Sequence, residues 1–214
     1  IGDGVSHVAC EGPLWSEQKP LTPWQADFRA CSPSWLFLRQ PQMGNYAFQG
    51  DRLLRTPSTD RLSDPLGRPT FLALRQMDVD CGVETAFRFD PAQDSSEAGL
   101  AVFIADYGYY TCCKRRENGS NFLAVSRSGG GLPLVQVPAE EGKLRLRLLA
   151  EKRQYTLSYA FGGQSLQQLA IFPVLTRQDA GKCFTGTLIG LFAQSPQSAE
   201  NPMEVSLFRM APTN

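Results

Sequence analysis

Hydrophobic and polar positions alternate with a period of two over several short stretches of the chain. Across residues 83–89, Val83, Thr85, Phe87 and Phe89 fall on one face, while Glu84, Ala86 and Arg88 fall on the other. After the polar residues 93–96, Leu100, Val102 and Ile104 line up in the same way. Leu144, Leu146 and Leu148 alternate with Lys143, Arg145 and Arg147, and residues 155–161 repeat the pattern up to the Gly162-Gly163 turn. Further strands are predicted over residues 122–126, 187–193 and 203–208. Only residues 166–175 carry a spacing that suits a helical turn, and Pro173 interrupts it. No fixed-period repeat is present. The pattern predicts an all-β fold, a two-sheet antiparallel sandwich of jelly-roll type over residues 24–214. Residues 1–23, rich in Gly, Pro and polar side chains, read as an N-terminal arm or linker.

Composition narrows what such a sandwich does. The 214 residues are 42% apolar, enough for a substantial core without metal or disulfide support. Lys and Arg number 21 and so do Asp and Glu. This balance removes the electrostatic argument for a nucleic-acid partner and is compatible with a neutral ligand. No run of 18 apolar residues suggests a membrane helix. The start at Ile1, with neither Met nor a leader-like segment, suggests a processed product or a fragment of something longer. Six scattered cysteines (Cys10, Cys31, Cys81, Cys112, Cys113, Cys183) form no C-x-x-C pair, which argues against zinc. They read as buried thiols, with disulfides as the alternative, and Cys112 and Cys113 point to opposite faces of one strand. Secreted and cytoplasmic settings both suit this content; the Asn118-Gly119-Ser120 sequon and the cysteine count tilt towards secretion.

Catalytic chemistry finds few residues. His7 is the single histidine, which weighs against serine or cysteine nucleophiles paired with an imidazole. Asp78, Asp80 and Glu84 offer strand carboxylates, and with them an alternative reading as a stand-alone jelly-roll glycosidase or polysaccharide lyase. Asp90, Asp94 and Glu97 are oxygen ligands that a loop calcium would accept, although a polar turn accounts for them too. The three glycines at 129–131 lack the following Lys-Ser or Lys-Thr of a phosphate loop. Trp24 and Trp35 read as core or interface anchors rather than ligand platforms. Tyr107, Tyr109 and Tyr110 flank Gly108 near a strand end, where rings and hydroxyls suit a sugar; cross-strand packing is the competing account.

Several segments resemble, in order, the C-terminal concanavalin A-like β-sandwich of family-43 β-xylosidases and arabinofuranosidases. Trp35, Arg39 and Pro41 match its W-x-x-x-R-x-P, residues 53–55 its next short strand, and Leu74-Arg75-Gln76 its R-R-Q with Leu74 in place of the first Arg. Phe89-Asp90-Pro91 and Glu97-Ala98-Gly99-Leu100 resemble its F-x-P and E-A-G-L, and Tyr109-Tyr110 its aromatic strand. Phe184-Thr185-Gly186 with Gly190-Leu191 resembles its F-T-G-x-x-x-G-L. The late strand departs, with Glu204-Val205-Ser206-Leu207-Phe208 where the family is acidic and aromatic. The resemblance implies an accessory module for xylan- or arabinan-type sugars, packed on a five-bladed propeller that holds the catalytic carboxylates. It implies that Phe184 reaches the rim of the sugar pocket, and Tyr107, Tyr109, Tyr110 and Arg75 complete the expected ligand-binding or rim set. No catalytic residue and no cofactor beyond a structural calcium is expected in the chain itself. A structural module without sugar affinity is the third reading.

Overall fold

A computed structural model describes residues 22–129, 132–181, 186–198 and 200–213. The expectations placed on residues 1–21 (His7 and Cys10 among them), on Gly130 and Gly131, and on Cys183 and Phe184 lie outside the described residues. In chain order the strands are β1 (Trp24–Gln25), β2 (Leu36–Phe37), β3 (Tyr46–Phe48), β4 (Leu53–Arg55), β5 (Thr70–Arg75), β6 (Cys81–Arg88), β7 (Glu97–Ala105) and β8 (Gly108–Glu117). They continue as β9 (Ser120–Arg127), β10 (Val135–Pro138), β11 (Leu144–Glu151), β12 (Gln154–Phe161), β13 (Gln167–Pro173), β14 (Leu188–Gln194) and β15 (Met203–Pro212). One helical turn, α1 (Arg177–Ala180), precedes β14.

Two antiparallel sheets face each other, as the alternation predicts. The first has the order β13-β12-β11-β6-β15-β4-β3 with β1 also paired to β15, and the second the order β10-β9-β8-β7-β14-β5-β2. The helical spacing at residues 166–175 is overridden: residues 167–173 form the edge strand β13. Pro173 is tolerated at its end because an edge strand does not need every N–H for pairing. The helix lies just beyond, capped by Thr176, whose hydroxyl accepts from Gln178 N–H, while the Asp179 carboxylate accepts from Thr176 N–H at 2.7 Å.

Inward side chains of both sheets make one core, among them Phe87, Leu100, Leu146, Leu157 and Phe208. Trp35 is buried and packs edge-on against Trp24, with centroids 4.9 Å apart. Two side chains of the first sheet cross to β5 of the second. The Tyr46 hydroxyl donates to Phe71 O (3.1 Å) and accepts from Phe71 N–H (3.0 Å), and Arg55 donates from Nη2 to Thr70 O at 2.9 Å. Arg55 is fully buried over the Tyr46 ring, and burial pushes its guanidinium down to about 10.

The outer faces of the two sheets differ. Phe71, Ala101, Phe103, Cys113 and Phe192 on the second sheet are roofed by the segment between β4 and β5, whose Leu62 is fully buried among them. This roof is fastened to β14: Ala193 O accepts from Ser58 N–H (3.2 Å), Ser58 O from Ser195 N–H (2.9 Å), and the Gln194 side-chain carbonyl from Leu62 N–H (3.2 Å). Burying a leucine in this way contributes about 2 kcal/mol. The outer face of the first sheet carries Glu84, Arg145, Arg147 and Arg209 instead.

Cys112 and Cys113 do point to opposite faces, one into the main core and one under the roof. Among the described residues Cys31, Cys81, Cys112 and Cys113 are free thiols. Burial raises the thiol of Cys112 to about 12 and, with help from Asp78 and Asp80, that of Cys81 to about 11. Such thiols pack as small apolar groups and hold little of the reactive thiolate at neutral pH.

Candidate functional site

The β7–β8 hairpin places Asp106 and Tyr107 at one end of the sandwich. Gly108 follows because the backbone of α1 lies directly on it; a Cβ there would collide with the Asp179 carbonyl. Two further contacts seat α1 on this hairpin. The Tyr107 hydroxyl donates to Ala180 O at 3.0 Å, and Arg127 of β9 forms an ion pair with Asp179. Burial alone would raise the Asp179 carboxyl, but hydrogen bonds from Thr176 and Arg127 hold it below its ordinary range.

Behind Tyr107 lies a depression of about 410 Å³ lined by Leu36, Arg39, Arg75, Phe103, Asp106 and Leu188, among others. Arg39 adopts φ 57° and forks between the Gly67 carbonyl (2.9 Å) and the Asp106 carboxylate (2.5 Å). Arg75 closes β5, and a side chain at Gly186 would come within 3.4 Å of its guanidinium. A side chain at Gly181 would collide with the Tyr107 hydroxyl. The described ends of the F-T-G segment, Gly181 and Gly186, therefore lie beside Tyr107 and Arg75. Leu36 and Arg75 also border a second, mainly apolar depression of about 320 Å³ with Trp24, Leu74, Met77 and Met210. Met77 and Val79 beside it are 67% and 77% exposed.

Of the expected rim residues, Tyr107 and Arg75 meet at this depression, although 32 positions separate them in the chain. Tyr107 is exposed. Tyr109 turns to the outer side of the second sheet, half-buried and stacked on Phe103 at 5.9 Å. Burial raises its phenol, which also bonds Ser63 of the roof. Tyr110 corrects the expectation of a sugar-facing ring: strand alternation turns it inward, where it is 1% exposed and 4.6 Å from the Phe172 ring. Phe184 lies outside the described residues. Arg39 and Asp106 stand outside the expected rim set; the signal for them is a charged residue at each of two turns bordering apolar strands.

The acids of the loop between β6 and β7 are engaged separately. Asp90 accepts from the buried Lys114 ammonium at 2.9 Å, Asp94 from Gly119 N–H at 3.0 Å, and Glu97 from the Gln194 amide at 2.5 Å and the Cys113 thiol at 3.4 Å. Among the described residues no group of three or more His, Cys, Asp or Glu is placed to hold a metal ion, so the loop-calcium expectation finds no ligand set there. Glu84 accepts from Arg209 at 2.5 Å with Arg145 at 3.7 Å, and it borders a different depression from Asp78. These two carboxylates do not face each other across one cleft, as paired acid catalysis requires.

Comparison with known proteins agrees with the fold. Residues 26–211 match the family model described as the β-xylosidase C-terminal concanavalin A-like domain. Xylosidase/arabinosidase 43B of Humicola insolens is 27% identical over 195 residues, covering 73% of this chain and 36% of that protein. The crystal structure of xylan β-1,4-xylosidase from Bacillus halodurans C-125 superposes with a TM-score of 0.80 at 19% identity, over 94% of this chain and 41% of that one. A family-43 protein of a Bacteroides ovatus xyloglucan utilisation locus gives 0.79 at 21% identity, over 93% and 40%. The chain thus spans well under half the length of these relatives.

Proposed function

Because the chain belongs to the β-xylosidase C-terminal concanavalin A-like domains, we propose that it is a non-catalytic accessory module of a glycoside hydrolase. It packs on a family-43 propeller and shapes the sugar pocket of that propeller. The observation that carries this reading is the convergence of Arg39, Arg75 and Tyr107 on one depression, with both described ends of the Phe184 segment beside it. The described residues that flank Phe184 in sequence lie against Tyr107 of the β7–β8 hairpin and Arg75 of β5. The adjoining apolar depression, with exposed Met77 in its lining, offers the desolvated surface that packing against the propeller needs. Xylan- or arabinan-type oligosaccharides are the ligands that the relatives' names support.

The test joins this chain to a family-43 propeller in place of the propeller's own sandwich and follows xylobiose hydrolysis. The expected result is a gain over the propeller alone, most of which Phe184→Ala removes. Met77→Glu separates the two bodies in analytical ultracentrifugation when they are supplied unlinked. A chimera no more active than the lone propeller, or one indifferent to Phe184→Ala, rejects the reading.

A further inference from the structure

The outer face of the first sheet carries a polar row that crosses six strands in register. Gln168 of β13 lies opposite Ser158 of β12, Ser158 opposite Arg147 of β11, and Arg147 opposite Glu84 of β6. Glu84 in turn lies opposite Arg209 of β15, and Arg209 opposite Gln25 of β1. At the usual strand spacing this row extends about 24 Å, the length of several linked sugar rings. The neighbouring row sets Gly82 between Leu149 and Ala211, and the Leu149 side chain leans over Gly82, 3.2 Å from where a Cβ would stand. A depression of about 360 Å³ borders the row, lined by Gln25, Glu84, Arg147, Leu149 and Arg209 among others.

Charge within the row is unbalanced. Glu84 is the one acid of the central cluster, and both of its oxygens are engaged, one by Arg209 and the other facing Arg145 at 3.7 Å. Arg147 stands directly opposite Glu84 yet makes no ion pair among the described residues, and it is exposed. Three guanidinium groups against one carboxylate leave a local positive surplus on a chain whose formal net charge is zero. A planar guanidinium with its fork unoccupied matches a carboxylate. The amides and hydroxyl of Gln25, Ser158 and Gln168 match sugar hydroxyls.

We propose that this row is a binding site for a polysaccharide carrying uronic acid, which lies across the strands with a carboxylate on Arg147. The site is separate from the Arg75–Tyr107 depression and stands or falls apart from it. Affinity electrophoresis of the whole chain in gels containing glucuronic-acid-substituted xylan tests it, with the same polymer after carboxyl reduction as the control. The expected result is retardation by the acidic polymer, weakened about fivefold by Arg147→Gln and by added salt. Carboxyl reduction should match that loss, and Glu84→Gln, which frees Arg209, should strengthen retention. Circular dichroism establishes that each variant is folded. Equal retardation by the acidic and reduced polymers, an Arg147→Gln variant that binds like the parent, or no retardation at all overturns the proposal.

Discussion

The two sheets bury their inner faces alike but treat their outer faces oppositely. On the second sheet the segment between β4 and β5 folds back as a roof, with Leu62 sealing Phe71, Phe103 and Phe192 from water. On the first sheet no such segment crosses the polar row among the described residues, and Arg147 and Arg209 are exposed. Each face therefore suits its side chains. Apolar outward residues on the second sheet demand a cover, and charged ones on the first need none. A sugar platform on the second sheet would first have to lift the roof; the first sheet needs no such change.

Truncating the seal is the most direct way to break this contrast. Leu62→Ala should cost about 3 kcal/mol, the range for a buried leucine left with a cavity, whereas Leu149→Ala on the open face should cost about 1 kcal/mol or less. Urea denaturation of the two variants measures both, and equal costs would mean that the roof contributes no more than an ordinary surface contact. Gly108→Ala comes next. The Asp179 carbonyl occupies the space of the new methyl, so α1 must shift, at about 2 kcal/mol. Faster hydrogen exchange at Ala180 and Gly181 would report the shift.

Acid addresses the same seat more gently. The Asp179 carboxyl lies below its ordinary range in the fold, so its contribution is present above about pH 4. That contribution is lost as pH falls through the lowered value. Asp179→Asn should cost about 1 kcal/mol at neutral pH and flatten that acid limb in a stability-against-pH series. The smallest effect is expected from Glu84→Gln on the open face. Loss of a partly exposed ion pair should change the unfolding free energy by about 0.5 kcal/mol; a larger loss would make the arginine cluster a structural element and weaken the platform reading.

The strands with clean alternation were legible because one side chain in two faces the core. Leu144, Leu146 and Leu148 are buried as the sequence predicts, and so are Val83, Thr85, Phe87 and Phe89. Residues 167–173 form a strand, although the spacing over 166–175 suits a helical turn, because an edge strand needs only partial pairing and tolerates a proline. The roof was invisible: residues 57–69 have no period, and their placement depends on β14, more than a hundred residues later. Separations of 32 and 67 positions likewise hid the meeting of Arg75 with Tyr107 and of Arg39 with Asp106. Tyr110 was taken with its neighbours as one aromatic cluster, although the parity of a strand sends adjacent rings to opposite sides.

Arg55 has one further consequence. Its donors end on the Thr70 carbonyl and near the Met203 sulfur at 4.0 Å, and no carboxylate pairs with it among the described residues. Together with the Tyr46 hydroxyl it forms a seam between the sheets that contains no acid group. Protonation has nothing to remove from such a seam, so mildly acidic surroundings that loosen carboxylate-based contacts elsewhere leave this edge of the sandwich stitched.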